Sequence, residues 1–296
     1  MYSYFDYEEP VFRPPSEANS LIFQITIGCS QNDCTFCGMY KMKSFHCRKV
    51  DELLADIEAI PVSHRQYVQR VFLADGDALV YPQEGLVTIL DALAENFPNL
   101  ARIGIYASPN SLKTKSVEDL KVLRAKKIRI LYFGLESGDD VTLQQIKKGY
   151  TSAEMLAQCR KAQAAGLKLS VTAILGLAGK KRSSEHAVAT AAWVSELSPE
   201  YFSLLTLYSR HNDDFFRDFS RQTRGEILEE ALEIVQSLNP CKTIFRSNHA
   251  SNFLNLAGSY PKDRLRLITD TEQAIQSARK HPDWYNQLPD YSEEYY

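Results

Sequence analysis

Ile27-Gly-Cys-Ser-Gln-Asn-Asp-Cys-Thr-Phe-Cys-Gly-Met-Tyr-Lys41 sets three cysteines, Cys29, Cys34 and Cys37, in a C-x4-C-x2-C pattern. The run before it, Leu21-Ile-Phe-Gln-Ile-Thr-Ile27, reads as a buried strand over about 21–28 that delivers the cysteines on the loop at its end. Three thiolates on one short loop suit a metal centre with an open position. Soft thiolate ligands select zinc, Cu(I) or an iron–sulfur cluster. A [4Fe–4S] cluster is normally held by four cysteines, so three leave one iron for another ligand. A structural zinc loop in a non-redox α/β binding module is the other reading. It needs a fourth ligand, and His46 or Cys47 is near enough in sequence to supply it. The cysteines by themselves leave both open.

Beyond the loop, apolar runs alternate with helical patterns. The runs cover 70–77, 102–108, 128–136, 168–176 and 201–208, which with the first strand makes six. Between them lie Leu86, Ile89, Leu90 and Leu93 at helical spacing, the capping boxes Ser116-x-x-Asp119 and Thr151-x-x-Glu154, and a helix end at Gly166. Strands separated by helices predict a parallel sheet of β/α units. Three segments follow: an arm over 1–18, a core over 19–208, and a C-terminal extension over 209–296. The extension carries helical patterns near 226–238 and 271–280 and a mobile acidic tail.

Composition narrows the class. The chain has 296 residues, 34 basic and 37 acidic, for a formal net charge of −3, so no global basic field draws in nucleic acid. Besides the trio, Cys47, Cys159 and Cys241 are scattered, unlike a secreted disulfide scaffold. The acidic, aromatic start Met1-Tyr-Ser-Tyr-Phe-Asp-Tyr-Glu-Glu is no signal peptide, and no apolar run reaches membrane-spanning length. The expectation is a cytoplasmic protein with reduced thiols and no membrane partner.

A cysteine trio after the first strand of a β/α chain, with Phe36 just before the last cysteine, resembles the radical S-adenosylmethionine (SAM) enzymes. Their familiar spacing is C-x3-C-x2-C, and this chain has one more residue between Cys29 and Cys34. Gly134-Leu-Glu-Ser-Gly138, with Lys148 one short helix later, is similar to the oxygen-independent coproporphyrinogen oxidase and methylthiotransferase groups of that superfamily. The resemblance implies an α/β fold, a partial (β/α)6 TIM-like barrel, with the α-rich extension covering its mouth. It implies a [4Fe–4S] cluster on Cys29, Cys34 and Cys37, with SAM on the fourth iron. Reductive cleavage of SAM would then give a 5′-deoxyadenosyl radical that takes hydrogen from a substrate. A one-electron reductant such as flavodoxin or ferredoxin is a further implied partner.

Chemistry in β/α barrels sits at the C-terminal strand ends. Strand two ends in Ala74-Asp-Gly-Asp77. There the resemblance implies that backbone at Gly76 meets the SAM amino group; Asp75 and Asp77 beside it are carboxylates that suit a ligand ammonium, and an Asx turn is the other reading. Strand three ends at Ser108. Glu136 suits ribose hydroxyls or an ammonium, and Lys148 a carboxylate, with Lys147 as its rival. The resemblance places Thr172, on strand five, near the SAM pocket, where some relatives have an acidic residue; 174–177 resembles the segment that packs on adenine, and a plain core strand explains it equally well. In the extension, Arg246, Asn248, His249 and Asn252 form a polar cluster that reads either as a hydrogen-bonded loop or as a substrate contact.

Overall fold

The computed structural model describes residues 4–208 and 211–289. The fold is α/β, on a mostly parallel sheet of eight strands with helices. Chain packing divides it into two compact units.

The first unit comprises Met1–Asn32, Met39–Phe133 and Gln158–Leu169. Its strands are β1 (Leu21–Gln24), β2 (Thr26–Ile27), β3 (His46–Cys47), β4 (Arg70–Ala74), β5 (Arg102–Ala107) and most of β6 (Ile128–Glu136). Its helices are α1 (Val50–Ala59), α2 (Val62–Arg65), α3 (Gln83–Asn96), α4 (Pro109–Thr114) and α5 (Val117–Ala125). β1, β4, β5 and β6 pair in parallel in that order. β4 is buried from Val71 to Ala74, as the unbroken apolar run of a strand covered on both faces requires. Leu86, Ile89, Leu90 and Leu93 form the buried stripe of α3, and Ser116 caps α5 in a box with Asp119.

The strand expected over 21–28 is broken in two. Ile25 donates its N–H to the Ala74 carbonyl at 2.7 Å and accepts from Arg48 N–H at 3.0 Å. β2 then leaves β4 and pairs antiparallel with β3, Thr26 opposite Cys47 and Ile27 opposite His46. A short ribbon thus closes the base of the cysteine loop. The apolar run was legible, but the change of partner depends on distant residues and was not.

The second unit comprises Asp33–Gly38, Gly134–Ala157 and Ser170–Tyr296. It holds the end of β6, most of β7 (Lys168–Leu175), then β8 (Tyr201–Thr206), β9 (Thr243–Ser247) and β10 (Leu256–Tyr260). Its helices are α6 (Asp140–Gln145), the start of α7 (Ser152–Ala164), α8 (Gly179–Leu197), α9 (Asp213–Phe216), α10 (Arg224–Ser237), α11 (Arg264–Arg279) and α12 (Pro282–Tyr285). β7, β8 and β9 run parallel, and β10 returns antiparallel to β9. The extension is therefore not purely helical. β9 escapes a hydropathy reading because Thr243, Phe245 and Ser247 are buried while Ile244 is exposed and Arg246 half-buried. The acidic tail at 291–296 lies outside the described residues. Among the described residues no helix is long and apolar enough to cross a membrane.

Alternation gives the β7–β9 sheet two unlike faces. Val171, Ala173, Leu175, Phe202, Leu204, Thr206 and Phe245 are buried on one. Thr172, Ile174, Tyr201, Ser203, Leu205 and Arg246 are half-buried on the other.

Candidate active site

In the first unit, the base of the cysteine loop is built on the end of β4. Gly28, at φ +75°, donates its N–H to Asp75 Oδ2 at 3.1 Å, and its carbonyl accepts from Gly76 N–H at 3.1 Å. A Cβ at Gly76 would stand 2.7 Å from the Tyr40 ring and 2.9 Å from Cys29 Cβ. Only glycine lets the β4 turn approach the first cysteine so closely.

Asp75, beside it, is fully buried. Its Oδ2 also accepts from Gln24 Nε2 at 3.0 Å and from Lys43 Nζ at 2.8 Å. Lys43, itself buried, donates further to the carbonyls of Pro10, at 2.8 Å, and Glu8. Burial pushes the Asp75 carboxyl up, against the pull of Lys43, Gly28 and Gln24. Asp77 is also fully buried, and burial raises its carboxyl too. Its Oδ2 accepts from Ser108 Oγ at 2.6 Å and Ser30 Oγ at 2.5 Å. Ser108 is the N-cap of α4, accepting from Ser111 N–H. The fold therefore brings Gly76, Asp75, Asp77 and Ser108 together, and adds Ser30 and Lys43. Lys43 gave no signal in the sequence, because a lysine in a polar loop reads as solvated.

In the second unit, Cys34 is buried and Cys37 half-buried. The loop is held here by its backbone: Thr35 N–H donates to the Ile146 carbonyl at 2.9 Å, and Asn212 Nδ2 to the Phe36 carbonyl. Glu136, at φ +65°, pairs with Lys148 at 3.1 Å, and both side chains are mostly buried. Lys147 is exposed, so Lys148 is the lysine that turns inward. A Cβ on Gly134 would run into the Glu136 carboxylate, and one on Gly138 into the Ala189 backbone of α8.

The phrase is braced from behind. Ser137 Oγ bonds buried His186 Nδ1 at 2.8 Å, and His186 Nε2 stands 3.8 Å from Glu230 Oε1. That same oxygen accepts from Gly176 N–H at 2.7 Å, at the turn after β7. Asp139 accepts from Arg182 Nε at 3.0 Å and Nη2 at 2.9 Å. Ser137, His186 and Glu230 were not singled out from the sequence; their link crosses about 90 residues of chain and leaves no local pattern.

The polar cluster of the extension separates into roles. Asn252 is a strut: its Nδ2 donates to the Leu204 carbonyl at 2.7 Å and to Ser247 Oγ at 3.0 Å, and its Oδ1 accepts from Thr206 Oγ1 at 3.0 Å. His249 Nδ1 bonds Ser251 Oγ at 2.8 Å, and burial lowers its pKa. Asn248 is exposed. Arg246 lies over the Tyr201 ring at 5.6 Å, on the same sheet face as Thr172. His46, considered as a fourth thiolate-site ligand, bonds the Ser44 carbonyl at 3.0 Å, and Cys47 is committed by its backbone to the β2–β3 ribbon.

The chain is similar to several known proteins. The heme chaperone HemW of Bacillus subtilis (strain 168) is 23% identical over 193 residues, covering 62% of this chain and 49% of that protein. The chain thus spans about half the length of that curated relative. Coproporphyrinogen III oxidase (HemN) from Escherichia coli, described as a radical SAM enzyme, matches with a TM-score of 0.54 at 19% identity, over 73% of this chain and 50% of its own. The FeFe-hydrogenase maturase HydG from Carboxydothermus hydrogenoformans matches with a TM-score of 0.51 at 14% identity, over 85% of this chain and 56% of its own. These similarities show a common fold. Residues 23–192, more than half the chain and inclusive of the cysteine loop and the Gly-Leu-Glu-Ser-Gly phrase, match the Radical SAM superfamily, and the protein belongs to it.

Proposed function

We propose that the chain is a radical SAM enzyme in which Cys29, Cys34 and Cys37 bind a [4Fe–4S] cluster and reductive cleavage of SAM begins hydrogen abstraction from a substrate. Membership of the superfamily implies the cluster, SAM, a reductant and a substrate. The donor set fits: three soft thiols fall within nine residues, each able to hold its own iron. Among the described residues, no three His, Cys, Asp or Glu side chains gather as ligands of a metal ion. When bound, the cluster supplies one electron to the SAM sulfonium, and the adenosyl fragment takes the hydrogen.

The chain's own residues hold and orient. Gly76 presents backbone to the SAM amino group, with Asp77 fixed behind it by Ser108 and Ser30. Lys148 exchanges Glu136 for the SAM carboxylate, which frees Glu136 for ribose hydroxyls or the ammonium. Phe36 flanks the last thiolate, its carbonyl held by Asn212, and Thr172, half-buried on β7, is the strand-five candidate for a SAM contact. Residues 209–296 contribute substrate contacts; of Arg246, Asn248, His249 and Asn252, the last two are held by their own hydrogen bonds, and Arg246 on the half-buried sheet face is the candidate we take. A flavodoxin- or ferredoxin-type donor and a cytoplasmic setting complete the reading.

The observation that carries it is the cysteine loop set against the β4 turn at Gly76, inside the matched 23–192. The test is anaerobic reconstitution with iron and sulfide, reduction, addition of SAM and assay of 5′-deoxyadenosine. Product that vanishes in Cys34→Ala is the expected result. Undiminished product in that variant would overturn the ligand assignment.

A further inference from the structure

Three polar side chains stand in one row across the half-buried face of the second unit's sheet. Thr172 on β7 is in register with Ser203 on β8, and Ser203 with Arg246 on β9. With strands about 4.8 Å apart, the row runs roughly 10 Å from Thr172 to Arg246. The residues flanking each of them on its strand are buried, so all three point to the same face.

The Arg246 guanidinium rests over Tyr201, two residues before Ser203 on that face. A cation over a ring uses none of the five guanidinium N–H donors. Among the described residues, no carboxylate lies within ion-pair distance of Arg246. Among the described residues, its guanidinium and the hydroxyls of Thr172 and Ser203 make no hydrogen bond. Donors on a half-buried face stay open to an incoming acceptor. The neighbouring row toward the strand ends, Ile174 and Leu205, is apolar and in register. The face therefore offers an anion clamp beside an apolar shelf.

We infer that Arg246, with Ser203 and Thr172, binds an oxyanion carried by the substrate, a carboxylate or a phosphate, while the substrate's apolar part lies on Ile174 and Leu205. Calling the ligand a substrate rests on the proposed function; the anion site itself does not. A planar fork of donors matches either oxyanion through paired hydrogen bonds, and two hydroxyls extend the contact along the row. Asn252 and His249 are excluded from this contact by their own hydrogen bonds.

The test is calorimetric titration of the reconstituted full chain with malonate, with inorganic phosphate and with L-methionine, each repeated in Arg246→Gln, Arg246→Lys and Ser203→Ala. Saturable binding of malonate or phosphate is expected. It should weaken at least roughly tenfold in Arg246→Gln, by less in Ser203→Ala, and be partly kept in Arg246→Lys. A preference for malonate assigns a carboxylate substrate, and one for phosphate a phosphorylated substrate. The inference is overturned if neither anion binds the unaltered protein, or if Arg246→Gln binds as well. It is also overturned if methionine depends on Arg246 as strongly, because the clamp would then serve the cofactor. Should Arg246→Gln lose its circular dichroism, Arg246→Lys and Ser203→Ala decide. The titration reads binding alone, so a chain that fails to cleave SAM still answers it.

Discussion

Gly134 and Gly138 bracket one short phrase for different reasons. Gly134 leaves room for the flexible end of Glu136, whereas Gly138 leaves room for the backbone of α8. Gly134→Ala should push the Glu136 carboxylate out of the place from which it would meet the ribose hydroxyls or ammonium of SAM, weakening SAM binding by roughly tenfold at little cost in stability. Gly138→Ala should cost about 1–3 kcal/mol of stability, because a packed helix backbone yields poorly. Equilibrium dialysis with SAM and urea denaturation of both variants separate the two. The phrase was legible as a motif; which glycine does which was not, since that depends on a helix some fifty residues away.

Asp139, next in the chain, caps α6 through Thr142 and takes two hydrogen bonds from Arg182. Burial alone would raise its carboxyl, but Arg182 and Thr142 hold it at about 2. A depressed carboxyl contributes stability that is complete above its unfolded value of about 3.9 and is lost as pH falls toward 2. Asp139→Asn should therefore be less stable at neutral pH and show a flatter fall in stability between about pH 4 and 2, measured by urea midpoints across that range.

At the scale of elements, the pair Lys43–Asp75 joins the arm, β1, the cysteine loop and the end of β4. Removing one partner leaves a buried charge uncompensated. Lys43→Met or Asp75→Asn alone should cost about 3–5 kcal/mol, and Lys43→Met with Asp75→Leu should recover a good part of the loss. Denaturation midpoints of the two singles and the double check this; equal losses in all three would show that the pair is not the origin of the cost. The elements themselves were read unevenly. The six apolar runs announced their strands because apolar residues dominate each of them, throughout in β4, which is covered on both faces, and on every second residue in β8. β9 and β10 did not, since β9 alternates and presents Arg246 to its open face.

For the whole molecule, the sequence carries class more clearly than substrate. The cysteine trio, the strand-end glycines and the β/α order are local or periodic, so they can be read along the chain. The row of Thr172, Ser203 and Arg246 comes from three strands and exists only after register is set. Net charge conceals it as well: 34 basic against 37 acidic residues rules out a global field and says nothing about one guanidinium without a counterion. The same holds for Glu230, which joins His186 to the turn at Gly176 through contacts far apart in sequence.

Gly28 N–H and Lys43 Nζ meet on a single Asp75 oxygen. In polymer terms the chain between them is a closed ring whose end-to-end separation no longer depends on its contour length. Lengthening such a ring by one residue costs under about 0.1 kcal/mol of closure entropy. The extra residue between Cys29 and Cys34 is then nearly free, because the strands that anchor the ring need not register the insertion.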